Sequence, residues 1–90
     1  MYAFRIKRDH LAESFPDLDG RNGQLFGDME AFMQYDPITL KLCDGDGELY
    51  YTVSYYGDDD EQMFAPQDWA ANDAGVTTTL IKENNKWVVL

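Results

Sequence analysis

Apolar and polar residues alternate most regularly over residues 38–56, ITLKLCDGDGELYYTVSYY. Ile38, Leu40 and Leu42 alternate with Thr39, Lys41 and Cys43, and Leu49, Tyr51, Val53 and Tyr55 alternate with Glu48, Tyr50, Thr52 and Ser54. A period of two places each apolar set on one face of an extended strand. β-Branched and aromatic residues fill both arms, which suits a half-buried pleated surface. Between them, Asp44-Gly45-Asp46-Gly47 supplies the glycines and short side chains that a tight reversal needs. The stretch predicts an antiparallel hairpin with residues 39–41 and 50–53 paired in the interior of a sheet.

The same alternation, shorter, opens the chain. Tyr2, Phe4 and Ile6 alternate with Ala3, Arg5 and Lys7, predicting a strand with one buried face that ends by Asp9. Residues 10–24 carry three breakers, Phe15-Pro16, Asp19-Gly20 and Asn22-Gly23, which leave room for one helical turn over 10–15 and no longer element.

Residues 25–35 fit two periods. Leu25, Phe26, Met29, Phe32 and Met33 make the stripe of an amphipathic helix, whereas Leu25, Met29, Ala31, Met33 and Tyr35 share one face of a strand. The helix is preferred because its stripe accounts for both Phe residues. Asp36-Pro37 ends the segment in either case, since the residue before proline is pushed out of the α region.

Beyond the hairpin, Gly57 and four successive acids, Asp58, Asp59, Asp60 and Glu61, form a loop, after which Met63 and Phe64 return to the core. Pro66 occupies a first-turn position of a short helix over 67–73, with Trp69 and Ala70 buried and Gly75 as its stop. Residues 76–81 and 87–90 flank Glu83-Asn84-Asn85-Lys86 as a second hairpin. The sum is a β-dominated α+β domain spanning residues 1–90, with a small antiparallel sheet of about five strands and one or two short helices. If residues 25–35 are a strand, the sheet can curl into a partly open SH3-like barrel; if they are a helix, an α+β layer results.

Composition sharpens this picture. Ninety residues with 14% aromatics can form one compact core and exclude a disordered chain. The single cysteine, Cys43, excludes an internal disulfide framework and a Cys-based zinc site within one chain, and suits a reducing, cytoplasmic setting. No stretch approaches the ~18 apolar residues of a membrane span, and the N-terminus lacks the apolar core of a signal peptide.

Charge is the most unusual property. The net charge is −10, and residues 9–81 hold 16 of the 17 acids with only Arg21 and Lys41 as bases. Such a field disfavours nucleic acid and anionic membranes as direct partners and favours a basic protein surface.

Catalytic and metal motifs are weak. His10 is the only histidine and stands near no patterned nucleophile, and the acids beside Cys43 oppose a reactive thiolate. From Asp17, a calcium-loop count puts Arg21 at position 5 and the glycine at position 7, and Glu30 falls two residues late. The sequence therefore predicts a protein without catalytic residues, metal or cofactor.

What remains is the acidic clustering. Asp44, Asp46 and Glu48 lie at one end of the hairpin's second arm, and Asp58, Asp59, Asp60 and Glu61 lie at the other. Acids two apart in an extended chain repeat every ~6.6 Å, close to phosphate spacing. They are the candidate contacts for a basic partner, including a nucleic-acid-binding groove. That makes the first expectation an acidic protein-binding domain of the nucleic-acid-mimicking inhibitor type, as in phage anti-CRISPR or anti-restriction factors. The alternative is a general interaction module in which Tyr50, Tyr56 and Trp69 form an aromatic contact patch and the acids are only solvated surface.

Overall fold

The computed structural model describes residues 1–14 and 20–90. Its strands are β1 (Tyr2–Asp9), β2 (Leu25–Gly27), β3 (Ile38–Cys43), β4 (Leu49–Gly57), β5 (Thr78–Glu83) and β6 (Lys86–Val89). Its helices are α1 (His10–Ser14), α2 (Met29–Gln34) and α3 (Ala65–Ala74), with a 3-10 turn, Glu61–Phe64, leading into α3. The Phe15-Pro16 breaker and the acids Asp17 and Asp19 lie outside the described residues.

The hairpin read from residues 38–56 forms the centre of one antiparallel sheet, ordered β2-β1-β4-β3-β5-β6. Thr39 pairs with Ser54, Leu40 with Val53 and Lys41 with Thr52. On the other side of β4, Phe4 pairs with Tyr55 and Ile6 with Val53. The turn forms as its composition requires: Gly47 takes a φ of 83°, and the Asp44 carboxylate accepts the backbone N–H groups of Asp46 and Glu48 at 2.9 and 2.8 Å. The closing hairpin turns on Asn84 and Asn85, both at positive φ, where asparagine is among the residues that tolerate the left-handed region. With β2 and β6 as separate edges, the sheet is open and not closed into a barrel.

Residues 25–35 resolve into both of the elements their pattern allowed. Leu25–Gly27 joins the edge of the sheet as β2, and Met29–Gln34 forms α2. Gly27 is the break. Its φ is 92°, and a Cβ there would stand 2.5 Å from the Tyr2 carbonyl oxygen, so the chain turns at a place only glycine can occupy. The expected five-residue apolar stripe consequently does not form: Met29 and Met33 are 57% and 80% exposed, while Ala31 is buried.

Two connections cross the sheet, one on each side. From β4 to β5 the chain passes over β3 through α3, and from β2 to β3 it passes over β1 and β4 through α2. α3 packs against the main core. Pro66 lies in its first turn, Gly75 ends it in the left-handed conformation at φ 77°, and its buried side places Ala70 and half-buried Trp69 on the sheet. That side of the sheet, the covered face, buries Phe4, Ile6, Leu40, Leu42, Tyr51, Val53 and Tyr55. The Trp69 ring lies 5.0 Å from Phe26, 5.2 Å from Tyr51 and 6.2 Å from Phe4, within the range of favourable aromatic contacts. On the opposite side α2 covers only one end, where Ala3, Ala31 and Tyr56 cluster with Phe32.

Val53 is fully buried between Ile6 and Leu40 on the two central pairings. Val53→Asp puts an unpaired carboxylate there and is expected to cost about 3 kcal/mol or more. Thermal unfolding followed by circular dichroism checks this: a variant with an unchanged cooperative transition contradicts the packing described.

Candidate functional site

Two groups of carboxylates end β4. A strand of nine residues rises ~3.3 Å per residue, so the groups are separated by roughly 30 Å. Neither group is extended. Asp44, Asp46 and Glu48 surround the hairpin turn, and Asp58, Asp59, Asp60 and Glu61 run through a bend into the 3-10 turn. The regular repeat of an extended strand is therefore absent from both.

Within each group, some carboxylates serve the fold. Asp44 is occupied by the turn, and the Glu48 backbone N–H, with smaller help from Asp46, Tyr50 and Gly47, holds its carboxyl below the usual range. Hydrogen bonding to Asp44 in turn raises the Tyr50 phenol. Asp59 accepts the Glu61 backbone N–H at 2.9 Å, an Asx-type turn bond leading into the 3-10 turn. Asp58 accepts the Tyr35 hydroxyl at 3.2 Å, and that bond raises the Tyr35 phenol. Burial, and after it the charge of Asp59, pushes Tyr55 up to about 12. Asp46, Glu48, Asp60 and Glu61 are exposed, and no side-chain hydrogen bond or ion pair involves their carboxylates among the described residues. They are the free members of the two groups.

The three aromatic candidates occupy separate places. Tyr50 sits half-buried beside Asp44, Tyr56 is 9% exposed with its ring 4.9 Å from Phe32, and Trp69 belongs to the core of the covered face. The structure does not bring them together as one patch.

His10 and Cys43 have ordinary surroundings. His10 Nε2 lies 2.9 Å from the Thr52 hydroxyl, and partial burial, then the nearby Arg8, lowers its pKa. Burial raises the Cys43 thiol, with Lys41 opposing and Asp44 adding to the effect. Among the described residues, no three His, Cys, Asp or Glu side chains gather in a metal-binding group, and no helix is long and apolar enough to cross a membrane.

The sequence shows basic ends, with Arg5, Lys7 and Arg8 before the acidic span and Lys82 and Lys86 after it, and suggests pairing between the termini or with the acidic middle; it does not show that most of these cations share one face. Strand alternation carries Arg5, Arg8, Lys41 and Lys82 to the side of the sheet opposite α3, the open face, where the paired residues are Ser54, Thr52, Leu80 and Trp87. Lys7, the extra residue at the β1 bulge, joins Arg5, Gly23, Ser54 and Tyr56 around a shallow groove of about 290 Å³. The Lys41 ammonium stands 4.1 Å from the centre of the Trp87 ring, a cation–π contact. Two ion pairs are present among the described residues, Arg8–Glu13 at 2.7 Å and Arg21–Asp73 at 3.2 Å. The exposed acids at the ends of β4 are thus not neutralised by cations from elsewhere in the chain. The available signal was the polar set on β1, β3 and β5, which can be collected only once the strand order is known.

The chain matches no known protein family, no curated protein and no solved structure.

The acids at 58–61 are expected to divide under mutation. Asp59→Ala removes the turn bond to Glu61 and is expected to cost about 0.5–1 kcal/mol, whereas Asp60→Asn with Glu61→Gln relieves repulsion and leaves stability equal or slightly higher. Urea denaturation of both variants tests the division, which equal losses would contradict. For His10, the folded protein favours the neutral ring. Its contribution to stability is full above the ordinary value of 6.5 and is lost as pH falls through the lowered one. An NMR titration should place the His10 midpoint below 6.5; a midpoint at or above that value contradicts the environment described.

Proposed function

We propose that this protein acts by binding another protein, without catalysis, and that its exposed carboxylates meet a basic surface. The observation that carries the reading is charge segregation. Cations collect on the open face, while Asp60 and Glu61 at one end of β4 and Asp46 at the other remain free of them. Mutual repulsion among adjacent acids opposes folding, and a basic partner relieves it on contact. Groups roughly 30 Å apart fit a broad basic surface, such as a nucleic-acid-binding groove, better than a narrow pocket. Competition with nucleic acid for such a groove, in the manner of an anti-restriction or anti-CRISPR inhibitor, follows from the same electrostatics. Binding of this kind belongs in the cytoplasm, where the single free cysteine stays reduced.

The experiment is a kinetic one. A basic protein captured from host lysate is titrated against the parent and against Asp46→Asn/Asp60→Asn/Glu61→Gln at 50 and 300 mM salt. The triple variant is expected to associate at least threefold more slowly at low salt, with the difference shrinking at high salt, because rim charges act mainly on association. Equal association rates for parent and variant at low salt overturn the reading.

A further inference from the structure

The open face of the sheet is the opposite of the molecule around it. In a chain with 17 acids and seven Lys and Arg, four cations, Arg5, Arg8, Lys41 and Lys82, project from this face. Along the paired rows that contain them, no carboxylate stands on the same side. One row runs Arg5, Ser54, Thr39, and the next runs Arg8, Thr52, Lys41, Leu80, Val89. The only strand carboxylate on β1, Asp9, is turned away. It is 3% exposed and accepts the backbone N–H groups of Ala12 and Arg21 at 3.0 and 2.9 Å. Arg8 is paired with Glu13, while Arg5, Lys7, Lys41 and Lys82 have no carboxylate partner among the described residues.

We infer that this face is a second docking surface, and that its occupant is a short acidic segment of a partner protein in which carboxylates are interspersed with apolar side chains. Charge complementarity supplies the carboxylates. The apolar requirement comes from the β5–β6 side, where Leu80 pairs with Val89, itself 70% exposed, and Lys82 pairs with Trp87. Thr39 and Ser54 keep the centre of the floor low and supply hydroxyl groups between the cations, while the Thr52 hydroxyl is taken by His10.

Range decides between a short segment and a larger polyanion. At physiological ionic strength charges are screened over ~8 Å, and Thr52, the Lys41 partner, is four residues from Glu48 and six from Asp58. At ~3.3 Å per residue those acids stand roughly 13 and 20 Å away, and Glu13 offsets Arg8, so a compact ligand experiences mainly Arg5, Lys7, Lys41 and Lys82. A nucleic acid or a second copy extends past it and meets the surrounding carboxylates. A second copy would also bring a net charge of −10 against an equal charge.

The probe is a fluorescein-labelled ten-residue peptide alternating Glu and Leu, read by anisotropy at 50 and 300 mM salt. Controls are the matching Gln/Leu peptide, a ten-nucleotide thymidine strand and sedimentation of the protein alone. Saturable binding of the acidic peptide is expected, weakened at least tenfold by Lys41→Gln/Lys82→Gln and by high salt. It should be unchanged by Asp60→Asn/Glu61→Gln, which belong to the other surface. The double lysine variant must retain the parent's unfolding transition, and Arg5→Gln/Lys7→Gln provides an independent second variant with the same expected loss. The inference is overturned if the acidic peptide does not bind or the neutral peptide binds as tightly. It is also overturned if the thymidine strand binds more tightly, or if the protein self-associates in a way that the lysine substitutions abolish.

Discussion

Trp69 sets its ring against Phe4, Phe26 and Tyr51, and through these contacts α3 is locked onto one face of the sheet. The surrounding structure follows from that one-sided packing. An antiparallel sheet can leave a face in water, but it must bury the other. α3, ten residues long, is the longest helix among the described residues, and the 3-10 turn before it adds Met63 to the same core. α2, at six residues, shields only the Ala3 and Tyr56 end of the opposite face. α1 touches the same face through His10 on Thr52 and Glu13 on Arg8; the rest stays open, and the polar residues of β1, β3, β4 and β5 collect there.

The chain's acids do not form one uniform coat. Asp9 joins the start of α1 to the Arg21 backbone, Asp44 closes the hairpin turn, Asp59 begins the 3-10 turn, and Asp73 accepts both the Tyr51 hydroxyl and the Arg21 guanidinium. Each satisfies donors that burial or a tight turn would otherwise leave without a partner. Net charge therefore overstates how much acid is available to another molecule. At the ends of β4, Asp46, Glu48, Asp60 and Glu61 are available because no turn or cap uses their carboxylates.

Segregation of charge gives the protein two surfaces of opposite sign on a rigid sheet. The acids sit at the ends of β4 and the cations lie across its middle, on the side away from α3. Over distances longer than the screening length the two surfaces act separately.

The strands, both hairpins, the breaker before residue 38 and the helix stop at Gly75 were legible in the sequence, because alternation, turn chemistry and capping are local properties carried by neighbouring residues. Residues 25–35 were not. Their pattern satisfied two periods, with the helix only marginally favoured, and the choice fell to Gly27, whose close approach to Tyr2 involves a strand more than twenty residues away. The acid groups could be listed from sequence, yet which members were free depended on hydrogen bonds made by folded turns. The open face was the least legible feature of all. Arg5, Arg8, Lys41 and Lys82 are scattered through the chain, and only the strand order β1-β4-β3-β5 and the bulge at Lys7 bring them to one surface.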